Sequence, residues 1–218
     1  GEISYYNDFQ QVDISDGEWL IMAATNYMLN DLHHWIKSQG LLFERHGHKS
    51  VGEAMLSAVI GWERLRAGRD INYAMLKNVY RYLGVGMVAR GHRTLKEADP
   101  EDMFSIEDLK ERHGLLTDTI WHKALGKIGE DKRDYLVAVL RRGTKLTAKA
   151  PIQLSTIHGA KGGEADNVLL MTDLSPRFAK EYDYNADSIH RLLYVGVTRT
   201  RQALHIVLPK NGERGFRF

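Results

Sequence analysis

Apolar positions along the chain follow one rule near both ends and a different rule in the middle. Residues 18–24 form a short continuous apolar run, Glu-Trp-Leu-Ile-Met-Ala-Ala, which predicts a strand buried on both faces. Asn26 can then cap a helix carrying Met28, Leu29, Leu32, Trp35 and Ile36 on one face, with Gly40 just past its end. A second apolar run, Leu41 to Phe43, predicts the next strand. Ser50 and Glu53 have the spacing of a capping box. Behind them Val51, Ala54, Met55, Ala58, Val59, Trp62 and Leu65 keep a helical period as far as Gly68. Strand, helix, strand, helix is the order of a parallel α/β sheet.

The rule changes near residue 70. From there to 149 the periods are helical and no strand is expected. Tyr73, Leu76, Tyr80 and Leu83 form one stripe, Ile120, Trp121, Ala124, Leu125 and Ile128 a second, and Tyr135, Leu136, Val139 and Leu140 a third, ended by Gly143. The polar segment from Ala89 to Pro100 predicts a loop. Strand-like runs return at Ile152–Ile157 and Val168–Met171. Asp187 can cap a helix carrying Leu192, Leu193 and Val195, and Ala203–Leu208 is a last strand stopped by Pro209. The expected organisation is a discontinuous α/β domain over 1–70 and 150–218, interrupted by a small all-α insertion over 71–149. The Gly-rich, charged tail from Lys210 to Phe218 is expected to fray.

Composition narrows this less than the pattern does. A net charge of +2 over 218 residues is no signature of nucleic-acid binding, so any such claim rests on local residues. The absence of cysteine excludes disulfides and thiolate metal sites. With no signal-peptide pattern and no apolar run near the ~20 residues of a membrane span, a cytoplasmic protein is expected. His33-His34 and His46-Gly-His48 lack a third ligand at zinc-like spacing, so no metal site is expected. Trp35, Trp62 and Trp121 fall on apolar helix faces and read as core.

Two stretches carry candidate chemistry. Ser155-Thr-Ile-His-Gly-Ala-Lys-Gly-Gly-Glu164 puts a His, a Lys, a carboxylate and a Gly-Gly step after a strand, at the expected carboxyl edge of a parallel sheet, where such folds bind ligands. Gly162 and Gly163 permit close backbone approach, Lys161 can pair with phosphate, and Glu164 can accept from sugar hydroxyls. An ordinary strand-to-loop turn with a solvated Lys and Glu fits the same residues. In Arg191-Leu-Leu-Tyr-Val-Gly-Val-Thr-Arg-Thr-Arg201, an Arg at the end of a packed helix can stabilise a transferring phosphoryl group, or simply make a helix-dipole contact. Lys132, Arg133, Arg141, Arg142, Lys145 and Lys149 can track a nucleic-acid backbone or form a solvated face.

The order of these motifs resembles a known family. Thr156-Ile-His158 followed by Lys161-Gly-Gly-Glu164 looks like motif V of the UvrD/Rep-type superfamily 1 DNA helicases, roughly T-x-H-x-x-K-G-L-E-F. Tyr194-Val-Gly-Val-Thr-Arg199 looks like their motif VI, roughly R-x-x-Y-V-A-x-T-R-A, and Leu20 to Gly47 is similar to motif IV and the helix after it. The resemblance implies the C-terminal, second RecA-like motor domain of an ATP-dependent DNA helicase or translocase. Arg199 would be the arginine finger, with Glu164 on the ribose and Gly162 shaping the ATP side. Thr156, His158 and Lys161 would meet single-stranded DNA or an ssDNA–dsDNA junction, and Arg191 would support motif VI. ATP and Mg²⁺ would be held mainly by an N-terminal motor domain, the implied partner.

This sequence departs from the family at several points. Alignment places Ala24 where motif IV carries a second phosphate-directed Arg. The Leu and Phe of motif V are Gly163 and Ala165, and an acidic pair before motif VI reads Ser188-Ile189. No G-x-x-x-x-G-K-[ST] loop occurs, since Gly84-Val-Gly86 and Gly159–Gly163 have the wrong spacing, so this polypeptide alone is expected to lack ATPase activity. A non-catalytic DNA- or protein-binding module with a degenerate motor fold is the competing expectation.

Overall fold

The computed structural model describes residues 1–96, 98–160, 162–212 and 214–216. Their packing divides the chain into two compact units, Gly1–Ser50 with Ala138–Phe218, and Val51–Val137.

The first unit opens with β1 (Glu2–Tyr6), a three-residue 3₁₀ turn and β2 (Trp19–Ala23). After them come α1 (Leu29–Ser38), β3 (Phe43–Arg45) and β4 (His48–Lys49). The second unit contains α2 (Glu53–Arg66), β5 (Ile71–Asn72), α3 (Tyr73–Tyr82) and β6 (Met103–Phe104). It continues with α4 (Ile106–Glu111), α5 (Trp121–Ala124) and α6 (Glu130–Arg141), whose last residues belong to the first unit. The chain then completes the first unit with β7 (Ile152–Thr156), β8 (Ala165–Met171), α7 (Pro176–Tyr184), α8 (Ala186–Val197) and β9 (Thr200–Val207).

The sheet order is β1-β9-β8-β2-β7-β3-β4, parallel throughout except for the β3–β4 hairpin. This mostly parallel sheet flanked by helices is an α/β fold of the RecA-like kind. Register explains its core. Leu20 and Met22 of β2 lie opposite Val168 and Leu170 of β8, which lie opposite Leu204 and Ile206 of β9. Alternation points these six side chains to one face, where they pack with Ile189, Leu192 and Leu193 of α8. Trp19, Ile21 and Ala23 point the other way and are buried too, so β2 is covered on both faces, as its continuous apolar run predicts. From β2 the chain passes through α1 to β3 on one side. From β8 it passes through α7 and α8 to β9 on the other. The connections therefore diverge between β2 and β8.

The second unit ties itself together with side-chain to backbone bonds. Trp62 Nε1 donates to Thr119 O (2.8 Å), Tyr80 OH to His113 O (2.9 Å), and Arg66 Nε to Asp118 O (3.0 Å). Arg93 donates to the carbonyls of Tyr80, Leu83 and Gly84 at 2.9–3.0 Å, filling acceptors that the end of α3 leaves open.

Several expectations need correction. Packing places the unit boundaries at 51 and 137, against 71 and 149 from the sequence, because α2 packs on α3. The 71–149 region does contain strands, the two-residue antiparallel pair β5–β6. The capping box at Ser50 and Glu53 does not form. Ser50 Oγ instead accepts the Phe43 amide (3.2 Å), and α2 starts after Gly52 without a side-chain cap. Similarly, α1 starts after Met28 with no side-chain cap, so Asn26 does not serve as one. Part of the tail is held, because the Phe216 amide donates to Thr172 O (2.9 Å) and the Phe216 ring packs on Tyr182 and His190.

Candidate functional site

The segment from Ser155 to Glu164 does not stay at the carboxyl edge of the sheet. It leaves β7 there and runs to the start of β8, which lies at the amino edge because Trp19 is in register with both Ile152 and Asn167. The sequence expectation holds for Thr156 but not for Glu164. At the upper end Thr156 makes the turn, its Oγ1 accepting the Gly159 amide (3.0 Å) and its carbonyl the Ala160 amide (2.9 Å). A Cβ at Gly159 would lie 2.7 Å from Ser155 Oγ, so a side chain there would force this turn apart. Gly162 has φ +85°, a left-handed conformation that glycine adopts without strain. Lys161 lies outside the described residues.

At the lower end the Ala165 amide donates to Arg199 O (3.2 Å), and Ala165 pairs with Thr200. The residue after Glu164 is thus bonded to the backbone of Arg199, bringing the ends of the two motifs to one edge. Arg199 follows α8, whose cap residue is Thr198. Its Nε donates to Val195 O (3.0 Å) and one terminal nitrogen to Thr198 Oγ1 (3.2 Å), which holds the guanidinium in one orientation and leaves donors over.

Between the two edges runs an open cleft of about 510 Å³ along α8. It is lined by Ile157 and His158 from the crossover segment, by Ser188, Arg191 and Val195 from α8, and by Arg199 just after it. Its polar groups suit an anion: two guanidiniums and an imidazole face it. The structure therefore brings His158, Arg191 and Arg199 together. Thr156, Gly162 and Glu164 border the same crossover without lining the cleft. His158 stacks on Phe178 of α7 (6.4 Å between centroids, 29°), and Ser188 hydrogen-bonds Glu181. Neither supporting residue stands out in the sequence, because α7, which carries both, contains no buried residue.

Ala24 is buried at 4% exposure at the carboxyl end of β2. Arg199 is at the amino end of β9, so a strand length of some 17–20 Å separates the two levels.

Among the described residues no group of three or more His, Asp or Glu side chains is placed to hold a metal ion, and no helix is long and apolar enough to cross a membrane. Residues 135–211 match the family model of the UvrD-like helicase C-terminal domain. The match spans the crossover, the cleft and Arg199. No curated protein matches the chain.

Proposed function

We propose, for a chain that carries a UvrD-like helicase C-terminal domain, that it is the C-terminal motor half of an ATP-dependent DNA helicase or translocase. The observation carrying this reading is the joining of Glu164 and Arg199 at one sheet edge by the Ala165-to-Arg199 bond, with His158 at the other end of the same segment. Arg199 supplies the guanidinium that meets the γ-phosphate of ATP held by the N-terminal motor domain. A planar fork pre-oriented by two bonds needs little reorganisation as charge develops on the phosphoryl oxygens. Glu164 takes a ribose hydroxyl and Gly162 lets the loop approach. Thr156 and His158 contact single-stranded DNA at the carboxyl edge, and Lys161 contacts the same strand.

Because one eight-residue segment connects the two edges, closure on ATP at the lower end moves the DNA contacts at the upper end. That is the coupling a translocase needs. Mg²⁺ finds no ligand set among the described residues, and the N-terminal motor domain holds it beside ATP.

The test uses the full-length protein. Arg199→Ala is expected to lower DNA-stimulated ATP turnover by about 10³-fold or more, and Arg199→Lys is not expected to restore it. Turnover within a few-fold of the parent in both variants would support the non-catalytic module instead.

A further inference from the structure

We propose that a cavity of the second unit, lined by β6, α4 and the residues just after α4, binds a carbon chain carrying two or more ammonium groups. The cavity is open, about 590 Å³, and its lining comes from one short span of sequence. Asp102, Asp108 and Glu111 bring three carboxylates to it, against the single guanidinium of Arg112. The surrounding residues have the same sign. Asp99, Glu101 and Glu107 stand in the same stretch, and Lys110 is already paired with Asp118 (2.8 Å). A surface of this sign repels phosphate, so it does not suit a nucleic-acid backbone.

His113 gives that charge a focus. It is 7% exposed and lines the cavity, and no group among the described residues hydrogen-bonds to its ring. Its backbone is fully engaged, the amide donating to Leu109 O (3.3 Å) and the carbonyl accepting the Tyr80 hydroxyl (2.9 Å). The ring stands edge-on to Phe104, 5.5 Å between centroids. A polar side chain buried to this degree normally has a hydrogen-bond partner. A ligand N–H in the cavity supplies one, because an imidazole nitrogen accepts as well as donates.

The placing of the acids selects the kind of cation. Among the described residues no three acidic or imidazole groups are placed to hold a metal ion. A compact cation therefore meets these carboxylates one at a time, and a single exposed ion pair is weak. Ammonium groups on one chain meet separate carboxylates together, each with three N–H donors. Asp108 is fixed for this role, since its Oδ2 accepts the Ser105 amide (3.1 Å) and hydroxyl (2.7 Å) while Oδ1 is left over. Met103, 55% exposed, and the buried Phe104 offer apolar surface to the methylenes between the charges. The chain can be a free polyamine or neighbouring lysine side chains of a peptide. Both present the same ammonium groups and methylenes.

The experiment titrates spermidine into the 218-residue chain by calorimetry at physiological ionic strength, with a two-lysine peptide as competitor. Saturable binding is expected, weakened about tenfold or more in the double variant D102N/E111Q. His113→Phe keeps a ring beside Phe104 but offers no acceptor, and should weaken binding severalfold. The control E101Q/E107Q removes the same charge from acids outside the cavity lining, and should leave binding unchanged, as should Arg199→Ala. Competition by the peptide assigns the site to lysine side chains, and spermidine binding without competition assigns it to a free polyamine. Asp102, Glu111, Glu101 and Glu107 are exposed, so D102N/E111Q carries the test if His113→Phe melts early. The proposal is overturned if neither ligand saturates at millimolar concentration, or if a folded His113→Phe binds as the parent does. It is also overturned if E101Q/E107Q weakens binding as much as D102N/E111Q, or if Mg²⁺ at equal concentration displaces the ligand, since either result describes a plain counterion surface. Turnover of the full-length protein reports on Arg199 separately, so either reading can fail alone.

Discussion

Two helix ends in this molecule are each met by an arginine, and the difference between them separates fold from function. At the end of α3, Arg93 gives three hydrogen bonds, to the carbonyls of Tyr80, Leu83 and Gly84. At the end of α8, Arg199 makes two contacts, to Val195 and Thr198, and turns the rest of its fork to an open cleft. The charge is the same in both cases. An arginine that ties three backbone carbonyls together at a helix end is part of the fold, whereas one that is oriented and lines an open cleft is equipped to meet something else.

The comparison breaks if the two arginines respond alike. The largest effect expected is on turnover, where Arg199→Ala removes about 10³-fold while costing no more than about 1 kcal/mol of unfolding free energy, since the half-buried side chain gives up only two hydrogen bonds. Next is Leu193→Ala, which empties a buried position beneath α8 and is expected to cost about 2–5 kcal/mol in urea unfolding. That loss would show how far the cleft depends on the row of side chains under it. Arg93→Ala should cost about 2 kcal/mol, since it strips charge-assisted bonds from three carbonyls, and should leave turnover in the full-length protein within a few-fold. A stability loss in Arg199→Ala as large as that in Arg93→Ala would make both residues structural.

The smallest effect concerns His33. Burial, then the positive charges of Lys37, Arg45 and His34, hold its pKa down to about 4. Its ring packs edge-on against Phe43 (4.9 Å). The unfolded chain takes up the proton near 6.5, so this contribution to stability is complete above that pH. It declines as the pH falls toward 4 and is then constant. His33→Phe is expected to flatten the pH dependence of the urea midpoint between those values relative to the parent. An unchanged slope would show that the ring is protonated in the folded state.

Much of the fold was legible because its signals are local. The apolar run at 18–24 belongs to a central strand and needs no partner to be recognised. The stripe at Leu192, Leu193 and Val195 likewise reports one buried helix face. Missed elements depend on neighbours. In β1, Ile3 and Tyr5 are more than half exposed at the sheet edge, so Glu2 to Tyr6 shows no buried periodicity. In α7, Phe178 and Tyr182 are only partly buried. Ser50 looked like a helix cap, yet the hairpin beside it claims its hydroxyl for the Phe43 amide.

The residue types of the two motifs, their order and the lack of a phosphate-cradling loop were determined by the sequence alone. They are sufficient to point to half of a motor. Tertiary structure decided where those residues meet. Strand register carries Glu164 from the expected carboxyl edge to the amino edge beside Arg199 and leaves Ala24 a strand length away. It also brings residues 9, 27, 28, 31, 171, 173, 174, 210, 211 and 214 to one cavity beside the carboxyl ends of β2 and β8. Such placements depend on which strands pair and how far each crossover runs, and spacing along the chain does not encode either quantity.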